Sequence, residues 1–188
     1  MKTKSTLSKG SAVISAIGKD QPGIVAAVAR VLYEAGCNLE DSSMTILGGE
    51  FAIILIVTLP MELELDELDH RFNSVRRALR LTVFLKAVGS REVQRKPVAG
   101  NPYMISVYGV DQAGIVYQVA ELLAKDKVNI TDVNTRRIVQ GSSPIYMMMI
   151  EVEFPKGLRP DSLKRRLEEL GRRLSVTVTL HPIETPTL

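Results

Sequence analysis

Glycines, asparagines and aspartates recur in this chain at a fixed spacing that suits the binding of a small zwitterion. Asp20-Gln21-Pro22-Gly23-Ile24-Val25 returns 91 residues later as Asp111-Gln112-Ala113-Gly114-Ile115-Val116. The same offset relates Gly18 to Gly109, Asn38 to Asn129 and Asp41 to Asp132. Gly23 and Gly114 each fall in what reads as the first turn of a helix. Unpaired N–H groups and the positive end of the helix dipole favour a carboxylate there. A glycine lets a ligand approach the backbone, or it serves a tight strand-to-helix turn that needs no ligand. Asn38 and Asn129 open the next strand, and an amide both donates and accepts, which suits an ammonium and a carboxylate together. The alternative is a turn or helix-exit asparagine bonded to its own backbone. Asp41 and Asp132 have three readings: a partner for a ligand ammonium, a loop cap, or a partner for Arg136 or Arg137. The candidate ligand-binding set is Asp20, Gly23, Ile24, Asn38 and Leu39, with the matching Asp111, Gly114, Ile115, Asn129 and Ile130.

Catalytic chemistry is not indicated. The repeats share no histidine: His70 reads as part of the solvated side of a helix, and His181 follows the last strand. The single cysteine, Cys37, has Val128 as its counterpart and reads as a small core residue. No Ser/His/Asp or Cys/His set appears, and no Cys/His cluster has zinc spacing. Met147-Met148-Met149 aligns with Ala52-Ile53-Ile54 and reads as strand core. No metal or cofactor is expected.

The elements that must position these residues form two copies of one unit of about 90 residues, a size typical of a small domain. The chain has 188 residues, 45% of them hydrophobic. The first copy reads as strand Ser11 to Ala16, helix through Ile24, Val28, Val31 and Leu32, and hairpin Asn38 to Leu47 and Phe51 to Leu59. A second helix through Leu65, Leu68, Phe72, Val75 and Leu79 and strand Leu81 to Val88 follow. Asp20 is the expected N-cap, Pro22 a first-turn residue and Gly36 the stop. The second copy follows with strand Tyr103 to Val107, helix through Ile115, Val119, Leu122 and Leu123, and hairpin Ile130 to Val139 and Ile145 to Phe154. Helix Leu163 to Leu174 and strand Val176 to Leu180 complete it. Phe51 matches Tyr146 at an offset of 95, so four residues are gained around Gln140 to Pro144. The expected division is an N-terminal tail 1–10, domains 11–88 and 103–184, a linker 89–102 and a tail 185–188.

This order specifies an α+β fold: two ferredoxin-like βαββαβ units, each a four-stranded antiparallel sheet with both helices on one face. Ile53-Ile54-Leu55-Ile56-Val57 is apolar on both parities, as in a strand with both sides buried. The copies are therefore expected to pack together, and the chain to form a homodimer.

Bulk charge argues against a nucleic-acid face. The net charge is +3, with 12 basic and 11 acidic residues through Arg95 and 12 and 10 after it. Arg165-Arg166, Arg172-Arg173 and Arg76-Arg77-Arg80 read as solvated helix faces, the other reading being contact with an acidic partner or nucleic acid. No apolar run reaches the roughly 20 residues of a membrane helix, and Met1 to Gly10 does not read as a signal peptide. A reducing, cytoplasmic setting is expected.

The βαββαβ plan with Asp-x-Pro-Gly-Ile at the first helix, then Asn-Leu or Asn-Ile at the next strand, resembles the ACT domain, a regulatory module that binds small ligands, most often amino acids. Gly36-Cys37-Asn38-Leu39-Glu40-Asp41-Ser42 followed by Leu47-Gly48-Gly49-Glu50-Phe51 resembles the glycine cleavage system transcriptional repressors, which are tandem-ACT proteins. The same stretch resembles the N-terminal ACT region of formyltetrahydrofolate deformylases. The resemblance runs from Ser11 to about Pro182. It implies a non-enzymatic amino-acid-binding regulator, with glycine or serine as ligand held between two ACT units. Such a regulator would act on a transcription activator and not on DNA directly. The alternative it implies is a regulatory subunit acting in trans on a metabolic enzyme. The second copy departs from the pattern at Ala113 and at Gly141-Ser142-Ser143-Pro144, so the two copies are not expected to bind ligand equally.

Overall fold

A computed structural model describes residues 10–89, 102–140 and 143–183. The chain divides into two compact units, Met1–Arg95 and Lys96–Leu188. Each has the same βαββαβ order. The expected N-terminal and C-terminal tails and the linker lie almost wholly outside the described residues, as does the hairpin tip Gly141-Ser142.

In the first unit, β1 (Ser11–Lys19) leads into α1 (Ile24–Glu34), then β2 (Asn38–Leu47), β3 (Glu50–Thr58), α2 (Leu65–Arg71), α3 (Asn73–Leu79) and β4 (Thr82–Val88). The sheet order is β2-β3-β1-β4, all neighbours antiparallel. The period-2 alternation of β1 and β3 sends Ala12, Ile14 and Ala16, with Phe51, Ile53, Leu55 and Val57, toward the helices. Ile24, Val28, Val31 and Leu32 of α1 and Leu68, Phe72 and Val75 meet them to close one core. The opposite face is not buried within the unit. Ile54 and Phe84 both pair with Ser15, beside Ile17, and the three apolar side chains are 55%, 64% and 53% exposed. Strand β2, an edge, is exposed along its whole length.

The second unit repeats this with β5 (Pro102–Val110), α4 (Ile115–Lys125), β6 (Asn129–Gln140), β7 (Ser143–Glu153), α5 (Pro160–Arg173) and β8 (Val176–Pro182), in the order β6-β7-β5-β8. Its core is built on Ile105, Val107, Ile115, Val119, Leu123, Met148, Ile150, Leu163 and Leu167. Met148 is core, as the alignment with Ile53 requires, whereas Met149 sits on the helix-free face. The inserted residues lengthen the hairpin. Leu47 pairs Glu50 at the end of β2, while the ladder of β6 continues past the equivalent Ile138–Ile145 pair to Gln140–Ser143.

Four expectations about local structure are corrected. Asp20 is not the N-cap of α1 and Pro22 is not in its first turn. The cap is Gly23, at φ 96°, with its carbonyl accepting from the Ala27 N–H at 2.9 Å. That left-handed backbone, open to glycine, starts the helix three residues after Asp20. The expected single helix from Leu65 to Leu79 is broken at Phe72, whose N–H reaches back only three residues to the Asp69 carbonyl. Arg76 spans the break, and it is not a solvated side chain. Its guanidinium donates to the Asp69 carbonyl (2.8 Å), to both Asp69 carboxylate oxygens and to the Val83 carbonyl (2.8 Å). It fastens the break to β4. The hydrogen bonds from Arg76, more than its charge, hold the Asp69 carboxyl below its ordinary pKa.

Candidate ligand-binding site

Chain direction decides which candidate residues can meet. Strand β1 ends at Lys19, α1 runs back along the sheet, and β2 starts where β1 started: Asn38 pairs Thr58, which pairs Ser11. Gly23 therefore lies at one end of the unit and Asn38 at the other, separated by an eleven-residue helix of about 16 Å at the usual rise. The second unit repeats this, with Gly114 opening α4 and Asn129 pairing Glu153 at the far end. No single unit brings its own helix-opening glycine and its own strand-opening asparagine to one ligand. The length of the predicted helix already carried that signal.

At the helix-opening end, Gly23 and Gly114 share one geometry, with φ 96° and 94° and no side-chain cap. A Cβ placed on Gly23 would meet nothing within 4 Å, and one on Gly114 only the Gln118 amide at 3.6 Å. The first-turn N–H groups are thus left without a capping side chain. The loop ahead is tied to the hairpin by backbone bonds, Asp20 N–H to the Gly49 carbonyl (3.0 Å) and Asp111 N–H to the Pro144 carbonyl (3.1 Å). Ile24 and Ile115 are each 2% exposed, so their side chains belong to the core.

Two repeated residues turn out to be structural. Gln21 reaches across to donate to the Leu79 carbonyl at 3.1 Å, and Gln112 does the same to Leu174, so each satisfies a carbonyl at the end of the unit's last helix. Gly18 and Gly109 sit where the first strand passes the start of the last. A Cβ on Gly18 would come within 2.7 Å of Leu81, and on Gly109 within 2.7 Å of Val176. Sequence reading identified these positions as repeated but not why.

The copies differ in how the remaining candidates are engaged. Asp111 accepts from Arg137 Nε at 2.8 Å, while the position equivalent to Arg137 is Ile46 in the first unit. Burial raises the pKa of the neighbouring Tyr146 phenol. The Thr135 hydroxyl works against this shift and the charge of Asp111 adds to it. Asn38 donates to Glu40 Oε1 at 2.8 Å, and the Thr58 hydroxyl donates to the same oxygen at 2.9 Å. Asp41 bonds the N–H of Ser42, and Asp132 accepts from the Asn134 amide at 2.6 Å. Asp132 is thus a local cap, not the partner of Arg136 or Arg137. Among the described residues, Asp20 and Asn129 have no side-chain hydrogen bond or ion pair. Leu39 is 51% exposed, and Leu39–Asp41 and Ile130–Asp132 each enclose a break in strand register.

Two grooves run between helices. In the first unit Gly23, Ala27, Arg30, Val31, Ser74 and Ala78 line a space of about 470 Å³. In the second, Gln118, Glu121, Lys125, Arg166, Glu169 and Arg173 line one of about 300 Å³, which does not reach Gly114. Arg166 is held by Asp126, so the arginines of α5 are not uniformly solvated. Burial pushes the Cys37 thiol up and so disfavours the thiolate, and the charge of Arg71 opposes this. No group of three or more His, Cys, Asp or Glu placed to hold a metal occurs among the described residues, and no described helix is long and apolar enough to cross a membrane.

Comparison with known proteins gives the same division. The family model described as "ACT domain" matches residues 11–86 and 101–181. A crystal structure of an unknown protein from Galdieria sulphuraria aligns with 94% of this chain and 100% of its own, at 26% identity and a TM-score of 0.77. That of a putative glycine cleavage system transcriptional repressor aligns over 94% and 99%, with a TM-score of 0.65; at 20% identity it supports the fold alone. A UPF0237 protein of Pyrobaculum aerophilum is 38% identical over 82 residues, 43% of this chain and 87% of its own length. The glycine cleavage system transcriptional repressor of Escherichia coli K12 is 46% identical over 46 residues, but that match spans only 24% of each protein. With the family model matched twice, over most of its length, the chain belongs to the ACT domain family.

Proposed function

We propose that the protein is a non-enzymatic, cytoplasmic regulator that binds a small amino acid, glycine or serine. The observation that carries this reading is the repeated helix opening. Gly23 and Gly114 hold the same left-handed conformation, with no side-chain cap and open space over Gly23, which suits a carboxylate. The ten candidates are Asp20, Gly23, Ile24, Asn38 and Leu39 with Asp111, Gly114, Ile115, Asn129 and Ile130; Ile24 and Ile115 contribute backbone only. Within one unit the helix opening and the strand-opening asparagine lie at opposite ends, so the two ends are separate candidates for ligand contact. Ligand binding then favours one arrangement of ACT units over another, to the extent of its differential affinity for the two. The short match to the Escherichia coli repressor supports a role in transcription regulation of the glycine cleavage system, through an activator protein and without direct DNA contact. The exposed apolar face bearing Ile17, Ile54 and Phe84 supports self-association as a homodimer.

Calorimetric titration of the full chain with each of the twenty amino acids tests the ligand class; glycine or L-serine is expected to give saturable heat, and silence for all twenty would refute the reading. Affinity capture separates the partners. A DNA-binding activator supports the transcriptional role, and a metabolic enzyme supports action in trans on that enzyme.

A further inference from the structure

Strand pairing lays out the helix-free face of the first unit in rows that run across β2, β3, β1 and β4. One row is Asp41, Ile56, Val13 and Lys86. The next is Ser43, Ile54, Ser15 and Phe84, and the third is Thr45, Ala52, Ile17 and Thr82. In the last row Glu50 stands beside Lys19, joined to it at 3.8 Å. Asp41 and Lys86 are exposed at opposite ends of their row. They are three strand spacings apart, about 14 Å, too far to pair with each other within the unit. Among the described residues neither has an ion pair, and Asp41 accepts only from the Ser42 N–H. Ile17, Ile54 and Phe84 lie exposed between these charged ends.

We propose that this face packs sheet on sheet against the same face of a second copy of the chain, about a two-fold axis parallel to the strands and between β1 and β3. This rests on the self-association read above from the apolar face, and names the surface that makes it. Such an axis lays each row over the same row of the partner in reverse, β2 over β4 and β3 over β1. Asp41 then meets the partner's Lys86, and Lys86 the partner's Asp41, with Ile56 over the partner's Val13 between them. In the next row Ile54 faces the partner's Ser15 and Phe84 the partner's Ser43. Ile17 likewise faces the partner's Ala52. Large side chains opposite small ones let the two layers interdigitate. Glu50 over the partner's Lys19 closes the other end, and opposite charges at both ends fix the register. The second unit lacks this pattern. Its first row is Asp132, Glu151, Met104 and His181. That face, with the Glu151 carboxylate at its centre, suits neither itself nor an apolar cover, because a buried charge needs a partner.

The test is sedimentation equilibrium of the full chain at micromolar concentration. Wild type is compared with Asp41→Lys, Lys86→Asp, the two combined, and Phe84→Glu. Thermal melts would show that each variant folds, and Ile54→Glu replaces Phe84→Glu should that variant fail to fold. Wild type is expected as a dimer. Either single charge exchange sets like charges together and should raise the dimer Kd at least about tenfold, and the combined variant should return it to within about threefold of wild type. Phe84→Glu should give a monomer. A dimer indifferent to Phe84→Glu or to both single exchanges would overturn this interface while leaving self-association intact. Loss in the single exchanges without rescue in the combined variant would overturn the proposed axis. A wild-type monomer would overturn the self-association reading, and the interface with it.

Discussion

Gln21 Nε2 lies 3.1 Å from the Leu79 carbonyl oxygen, 58 residues along the chain, and Gln112 makes the same bond to Leu174 in the second unit. The glutamine next to the repeated aspartate thus joins the loop ahead of the first helix to the end of the last one. It holds the candidate ligand end together without being a ligand residue. Replacing Gln21 or Gln112 by Ala removes one such bond and is expected to cost about 1 kcal/mol. Urea unfolding would read this as a lower midpoint at unchanged slope.

Arg76 carries more. It bridges Asp69 and Val83 across the helix break, and its side chain is only 22% exposed. Arg76→Ala should destabilise the first unit by about 1–3 kcal/mol, since it leaves a half-buried carbonyl and a carboxylate without their donor. The bond also predicts a pH dependence. Asp69 has its pKa lowered in the folded state, so the unfolded chain binds more protons in that window. The stabilisation is complete above the ordinary aspartate value near pH 4 and is lost as pH falls through the lower folded value. Acid titration of unfolding should show that loss in wild type and a shallower one in Asp69→Asn.

Helix α4 ends less favourably than α1. Gly36 takes the left-handed position after α1 at φ 71°, and Lys127 takes it after α4 at φ 57°. Both stops carry the paired bonds expected there: Cys37 to Leu32 and Gly36 to Tyr33, Val128 to Leu123 and Lys127 to Ala124. Lysine pays steric strain at such a φ, so Lys127→Gly should stabilise the second unit by about 1 kcal/mol. Differential scanning calorimetry would show the rise.

Gly23→Ala should cost roughly 1–2 kcal/mol through its φ of 96°, because no atom lies close enough to its Cβ to clash. A bulky Gly23→Val would therefore report backbone strain as well as blocked ligand approach. Denaturation midpoints taken beside any affinity separate the two effects.

Much of the architecture was legible because hydrophobic periodicity is local. Ile24, Val28 and Val31 repeat at helical spacing, Phe51 to Val57 alternate, and a 91-residue offset makes the second copy a check on the first. What was not legible depends on groups far apart in sequence. Nothing next to Gln21 points to Leu79, and nothing next to Arg76 points to Val83. Asp20 reads as a cap because its residue type favours that role, but a left-handed Gly23 moves the helix start downstream. The opposite placement of Gly23 and Asn38 follows from strand direction and helix length, and only the pairing of Asn38 with Thr58 and Ser11 makes it plain. The engagement of Asp111 by Arg137 was invisible at an interval of 26 residues.

The central claim, an amino acid held at the helix openings, is tested most directly by ¹H–¹⁵N correlation spectra of the full chain titrated with glycine and with L-serine. The account predicts saturable shifts of the Gly23, Ile24 and Val25 amides, of the matching Gly114, Ile115 and Val116 amides, or of both sets. Spectra unchanged to millimolar ligand, or shifts confined to the groove of Glu121, Lys125 and Arg173, would contradict it.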